Sequence, residues 1–198
     1  NCSALRDPAR SMLGPEQEAW LDEGLESSQA RWNFLVQQTP MAQSTQTPLI
    51  RPDDGRFWND GWDGYPLARQ RLFDALQRTG AANPVVLAGD VHTFYATELK
   101  TDFNLPVSKQ NPVIATEFCG TSVTSGSRPQ ARTLQYVDMN PHVKYGRSDK
   151  RGFILMEIAP TATKTIFVGL DDVRLASSGA ATIAQFHVEN GRPGAIRT

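Results

Sequence analysis

The chain has 198 residues, with 20 Lys and Arg against 21 Asp and Glu, a formal net charge of −1, 39 % hydrophobic and 21 % charged residues. That composition is ordinary for a globular protein and provides no basic field to hold a nucleic acid or a lipid surface, so a bound phosphate group must be met by a local site. The length suits one domain with a real core or half of a larger one, and no apolar run approaches the roughly 20 residues that span a bilayer.

The opening Asn1-Cys2-Ser3-Ala4-Leu5-Arg6 has neither an initiator Met nor an apolar signal region, so the chain reads as an internal or processed piece. Cys2 and Cys119 permit at most one disulfide and lack metal-ligand spacing. Pro15, with Glu16 and Glu18 behind it, opens a helix to about Ala30 whose apolar face carries Trp20, Leu21 and Leu25. Residues 32–38 read as a short strand, and residues 39–64 as a long Pro-, Asp-, Gly- and Trp-containing loop of the kind that is usually functional or disordered. A second helix runs from Pro66 to about Arg78 and stops at Gly80, burying Ala68, Leu72, Ala75 and Leu76.

The apolar run Pro84 to Ala88 predicts a strand covered on both faces, with residues 95–100 as its partner. Residues 113–118 form another buried strand, ending in a Ser/Thr/Gly loop. A short helix follows at 129–138, then two antiparallel strands at 151–159 and 163–173, and a last strand at 182–188. The front half is therefore α/β and the back half antiparallel, which a sheet sandwich flanked by helices accommodates. No internal boundary is visible across residues 1–198.

Ligands of α/β sheets gather beyond the carboxyl ends of strands. The segment Gly89-Asp90-Val91-His92 follows the most apolar strand, and Gly89 permits a tight turn or a close approach. In extended geometry Asp90 and His92 face the same way, which places one hard oxygen and one imidazole side by side as half of a metal shell. A turn-capping Asp and a hydrogen-bonded surface His account for the same letters. His92 is one of only three histidines.

Five segments, in order, carry a resemblance. Ser11 to Leu21 holds Met12-Leu13-Gly14, Gln17 and Trp20-Leu21. Asp60-Gly61-Trp62-Asp63-Gly64-Tyr65-Pro66 is followed by Arg69 and Arg71. Then come Gly89 to His92, the run Glu117-Phe118-Cys119-Gly120-Thr121-Ser122-Val123-Thr124-Ser125, and Asn140-Pro141-His142-Val143-Lys144-Tyr145 with Arg151-Gly152-Phe153. Together they resemble the PhoD-like alkaline phosphatases of the metallophosphoesterase superfamily.

That resemblance implies an α/β fold, the C-terminal half of a four-layer αββα sandwich with mixed to antiparallel strands. It also implies a site of iron(III) (Fe3+) and calcium (Ca2+) acting on phosphomonoesters and possibly phosphodiesters. The metals would gather phosphate oxygens and activate a hydroxide for in-line attack. Asp90 and His92 match the family's last metal motif. Its earlier ligand segments are missing here, and Asp53-Asp54, followed by Gly55-Arg56, is no substitute. The resemblance thus implies that the chain alone is inactive, that the N-terminal half of the same enzyme is its partner, and that the enzyme is exported to a periplasmic or extracellular space.

The other motifs each have two readings. Asp63 lines the cleft as a substrate-binding residue, or caps the helix that Pro66 opens while Gly64 takes a positive φ. His142 serves as a catalytic acid toward a leaving group and Asn140 contacts substrate, or both are satisfied structural residues. Thr121, Ser122, Thr124 and Ser125 bind phosphate through backbone N–H groups, or shape a turn. The competing function is a non-catalytic scaffold or subunit-contact module whose Trp-rich loop is the sticky surface. A purple-type acid phosphatase is disfavoured, because Asp90 stands where those enzymes favour His.

Overall fold

Pro15 and Pro66 each open a helix, and both stand at its first positions. The computed structural model describes residues 3–48 and 56–198. Cys2 and Asp53-Asp54 lie outside the described residues, so the Cys2–Cys119 pairing does too. The described elements are a 3-10 turn (Ser3–Arg6), α1 (Pro15–Ser27), β1 (Asn33–Val36), a 3-10 turn (Trp62–Gly64), α2 (Pro66–Thr79), β2 (Pro84–Ala88), β3 (Phe94–Lys100), β4 (Val113–Cys119), α3 (Gln130–Met139), β5 (Val143–Arg147), β6 (Gly152–Ile158), β7 (Ala162–Leu170), β8 (Ala180–Glu189) and β9 (Arg192–Arg197).

Helix α1 stops short of the expected Ala30. Ser28 is extended, and the Ser27 and Ser28 hydroxyls bond nearby backbone, which competes with the helical ladder. Leu25 is buried, but Trp20 is 69 % exposed rather than on the buried face. Helix α2 buries the stripe expected of it and ends at Gly80, which takes the left-handed conformation at φ 64°. Gly64 does not take the positive φ expected. It is glycine because a Cβ there would lie 2.2 Å from the Asn59 carbonyl oxygen.

The fold is mixed α/β with two sheets, one mixed in the order β1-β2-β4-β3-β5 and one antiparallel in the order β6-β7-β8-β9. β1, β2 and β4 are parallel, and β3 runs antiparallel to both β4 and β5. β3 is thus not the partner of β2: β4, buried on both faces, takes the place between them. Side chains alternate along β4. Ala115 and Cys119 face the helices, whereas Phe118 faces the second sheet.

The two sheets meet on Phe94, Phe118, Phe167 and Phe186, with Phe94 and Phe167 stacked at 4.9 Å. Thr116 Oγ1 accepts the Gly194 N–H at 2.8 Å, tying β4 to β9. Sequence reading missed β5, whose register is broken by a bulge, and β9, whose Pro193 and Gly194 suit only an edge. Among the described residues, no helix is long and apolar enough to cross a membrane.

Phe167, fully buried, touches four aromatic rings in both sheets. Phe167→Ala is expected to destabilise the fold by about 3–5 kcal/mol, read from urea unfolding. A loss below about 1 kcal/mol would show that the sheets do not share this core.

Candidate active site

The carboxyl ends of parallel β2 and β4 lie side by side, with Ala88 opposite Cys119. Beyond Ala88 the chain does not continue extended. Asp90 and His92 both take left-handed backbone conformations, at φ 70° and φ 54°, so the alternation argument that placed their side chains on one face does not hold. Gly89 keeps no positive φ, and a Cβ there would make only ordinary contact, 3.6 Å from the Gln38 carbonyl oxygen.

Non-glycine residues in this region cost on the order of 1–3 kcal/mol each and persist only where neighbours hold them. Four contacts do so here. The Cys119 thiol donates to the Gly89 carbonyl at 3.3 Å, and the Thr121 hydroxyl to the His92 carbonyl at 2.9 Å. The Gly89 N–H donates to the Gln38 carbonyl at 2.9 Å. Val91 packs against the cluster of Tyr95, Cys119, Tyr136 and Val143.

The same turn orients the imidazole. His92 Nδ1 lies 2.9 Å from the Gly126 carbonyl oxygen, which can only accept. Nδ1 therefore carries a proton, which leaves Nε2 as the ring nitrogen that would face a metal. Asp90 is exposed at the strand end. These two donors fit part of a metal shell, and among the described residues no group of three His, Cys, Asp or Glu could hold an ion. Cys119 does not extend the set, since burial pushes its thiol well up and keeps it protonated.

The other candidates converge elsewhere, on the backbone of the segment 39–45. Asp63 accepts the Ser44 N–H at 2.7 Å and a guanidinium N–H of Arg69 at 2.6 Å. It caps nothing on α2. Asn140 is 1 % exposed, accepts the Thr45 N–H and donates to the Thr45 carbonyl, both at 3.1 Å. His142 donates through Nε2 to the Gln43 carbonyl at 2.7 Å and packs on Phe103, while its buried Nδ1 has no partner among the described residues. Burial lowers its pKa from the ordinary 6.5 to about 4, so it is neutral above that.

Glu117 and Arg69 stand in the motifs that carry the resemblance, but neither was expected as a site residue. Glu117 sits within β4, fully buried, and accepts the Met41 and Ala42 N–H groups at 2.5 and 3.2 Å. Arg69 joins Asp63 to the Met41 carbonyl. Burial lifts the Glu117 pKa to about 7, opposed by the two N–H donors and by Arg69 and aided by Asp63. The available signal was an acidic residue inside the apolar run Val113 to Cys119. The held segment faces Val91 across a cleft of about 20 Å3, room for one water. The Ser/Thr loop forms the opposite side of the turn: the Thr121 hydroxyl bonds the His92 carbonyl, the Ser122 hydroxyl bonds the Ser125 carbonyl, and Arg151 donates to the Ser122 hydroxyl and the Ser125 carbonyl.

The profile of the family described as PhoD-like phosphatase matches residues 1–167. The chain is 35 % identical over 192 residues to Alkaline phosphatase D of Bacillus subtilis (strain 168), covering 96 % of this chain and 32 % of that protein. A solved structure described as "Structure of PhoD" superposes with a TM-score of 0.90 at 32 % identity, over 100 % of this chain and 37 % of that one. The chain thus spans about a third of the length of the relatives it matches.

His142 provides a pH test. Its folded pKa lies below its unfolded value, so between pH 6.5 and about 4 the unfolded chain binds the extra proton and stability is lost as pH falls. The stability difference between the wild type and His142→Gln should therefore shrink as pH falls through that window, measured by urea midpoints. A difference independent of pH would place His142 in a solvated setting.

Proposed function

The chain belongs to the PhoD-like phosphatase family, and from that premise we propose that it forms the C-terminal part of a metal-dependent phosphoesterase acting on phosphomonoesters and possibly phosphodiesters. The observation that carries the reading is the turn beyond β2, where His92, two residues after an exposed Asp90, has its Nδ1–H fixed by a backbone carbonyl and its Nε2 left for a ligand. Asp90 and His92 hold a metal, iron(III) or calcium. When bound, such ions supply the positive charge that gathers phosphate oxygens and lower the pKa of the attacking water. Asp90 contributes a carboxylate oxygen and His92 a neutral imidazole, neither acting as a general base. Asp63, Asn140 and His142 serve the site by fixing the segment 39–45 as one wall of the cleft.

The remaining ligands come from the portion of the enzyme that the relatives carry beyond this third. Two open edges support that assembly. β1 and β6 each form one edge of their sheet, and their ends are tied together by Trp32 Nε1–H donating to the Ala159 carbonyl at 2.9 Å. Beside them Trp20 and Val36 are 69 % and 76 % exposed, and Phe153 and Leu155 are half-exposed on the second sheet. The missing portion completes the four-layer αββα sandwich there, so residues 1–198 act as one part of a larger catalytic domain, in a periplasmic or extracellular enzyme. The same edges also fit a scaffold role, in which this chain contributes contact surface and no chemistry.

Asp90→Asn in the complete enzyme separates the two. Loss of a metal contact worth several kcal/mol corresponds to roughly 10³-fold in the rate of p-nitrophenyl phosphate hydrolysis, with weaker metal binding. Unchanged metal content and turnover would support the scaffold role. The isolated chain is expected to bind metal weakly and to show no turnover, and tight binding with turnover would contradict a shared site.

A further inference from the structure

We propose that Glu117 is a positioning residue for the Asp90–His92 turn, resting on the reading of that turn as a metal site. Its carboxylate grips the Met41 and Ala42 N–H groups from inside the sheet. Three residues earlier the same segment, through the Gln38 carbonyl, accepts the Gly89 N–H at 2.9 Å. Further along, its wall faces Val91, the residue between the two left-handed positions. A carboxylate suits this because each N–H meets its own oxygen, Met41 at Oε1 and Ala42 at Oε2, and an amide would set an NH2 donor against one of them.

The environment of Glu117 is arranged to keep that acceptor in place. Arg69 closes the circuit by donating to both Asp63 and the Met41 carbonyl, so the segment is held at both its N–H and its C=O groups. Cys119, the next residue along that face of β4, meets the turn directly at the Gly89 carbonyl. The strained turn and its support are therefore built on one strand. An acid this deeply buried, on an otherwise apolar run and touching no surface, has the position of a group that acts through what it holds. Outer partners of metal ligands typically contribute 10–100-fold to activity.

The test is a double-mutant cycle in the complete enzyme, with metal content measured on every variant. Glu117→Gln should lower kcat about 10–100-fold with KM changed less than about 3-fold and metal retained at saturating concentration. In a Val91→Ala background, where the wall faces only a methyl group, the same substitution should cost less than half as much on a logarithmic scale. Equal cost in both backgrounds, or an unchanged kcat, would overturn the proposal. Should Glu117→Gln not accumulate, Glu117→Asp keeps charge and both oxygens while shortening the reach, and the same cycle is read with it. Failure of the metal reading shows separately, as an Asp90→Asn enzyme with normal metal.

Discussion

A buried carboxylate accepting two backbone N–H groups organises the helix-facing side of this chain. Glu117 cannot be solvated, so its donors must be supplied by the fold, and they come from Met41 and Ala42. Once that grip exists, the remaining polar groups of the segment 39–45 need partners as well. Asp63, Arg69, Asn140 and His142 supply them from the Trp62–Gly64 turn, α2, and the junction of α3 with β5. A stretch with no regular structure of its own is thereby fixed as firmly as a strand.

The constraint reaches the candidate site by a short route. Strands β2 and β4 end together, and the chain must turn back into β3 on the far side of β4. The turn is made with Asp90 and His92 in left-handed conformations, so its shape depends on what surrounds it. The neighbours are the held segment on one side and the Ser/Thr loop on the other. The loop also sets the His92 tautomer through Gly126. Rigid support under a strained turn is what a metal ligand pair requires, since geometry decides how tightly an ion is held.

Much of this was legible in the sequence. Helix starts at Pro15 and Pro66, the stop at Gly80 and the buried strands at Val85 and Ala115 follow from local chemistry that the tertiary fold did not override. The family was readable because five motifs occur in order. The contacts inside the motifs were not. Asp63, Asn140 and His142 carry the letters of substrate contacts, but their partners lie 19, 95 and 99 residues away along the chain, and only folding shows that those partners are backbone. The extended course assumed for Asp90 and His92 failed because positive φ at non-glycine residues leaves no local signature. β9 was missed because Pro193 and Gly194 speak against a strand except at an edge.

Under the proposed function, Asp90 and His92 are ligands in a site completed by the rest of the enzyme. A crystal structure of the complete enzyme with its metals bound, located by anomalous scattering, tests this most directly. A metal is expected within about 2.0–2.6 Å of an Asp90 carboxylate oxygen and of His92 Nε2, with His92 Nδ1 still donating to the Gly126 carbonyl. Metals bound elsewhere, with both side chains beyond contact distance, would contradict it.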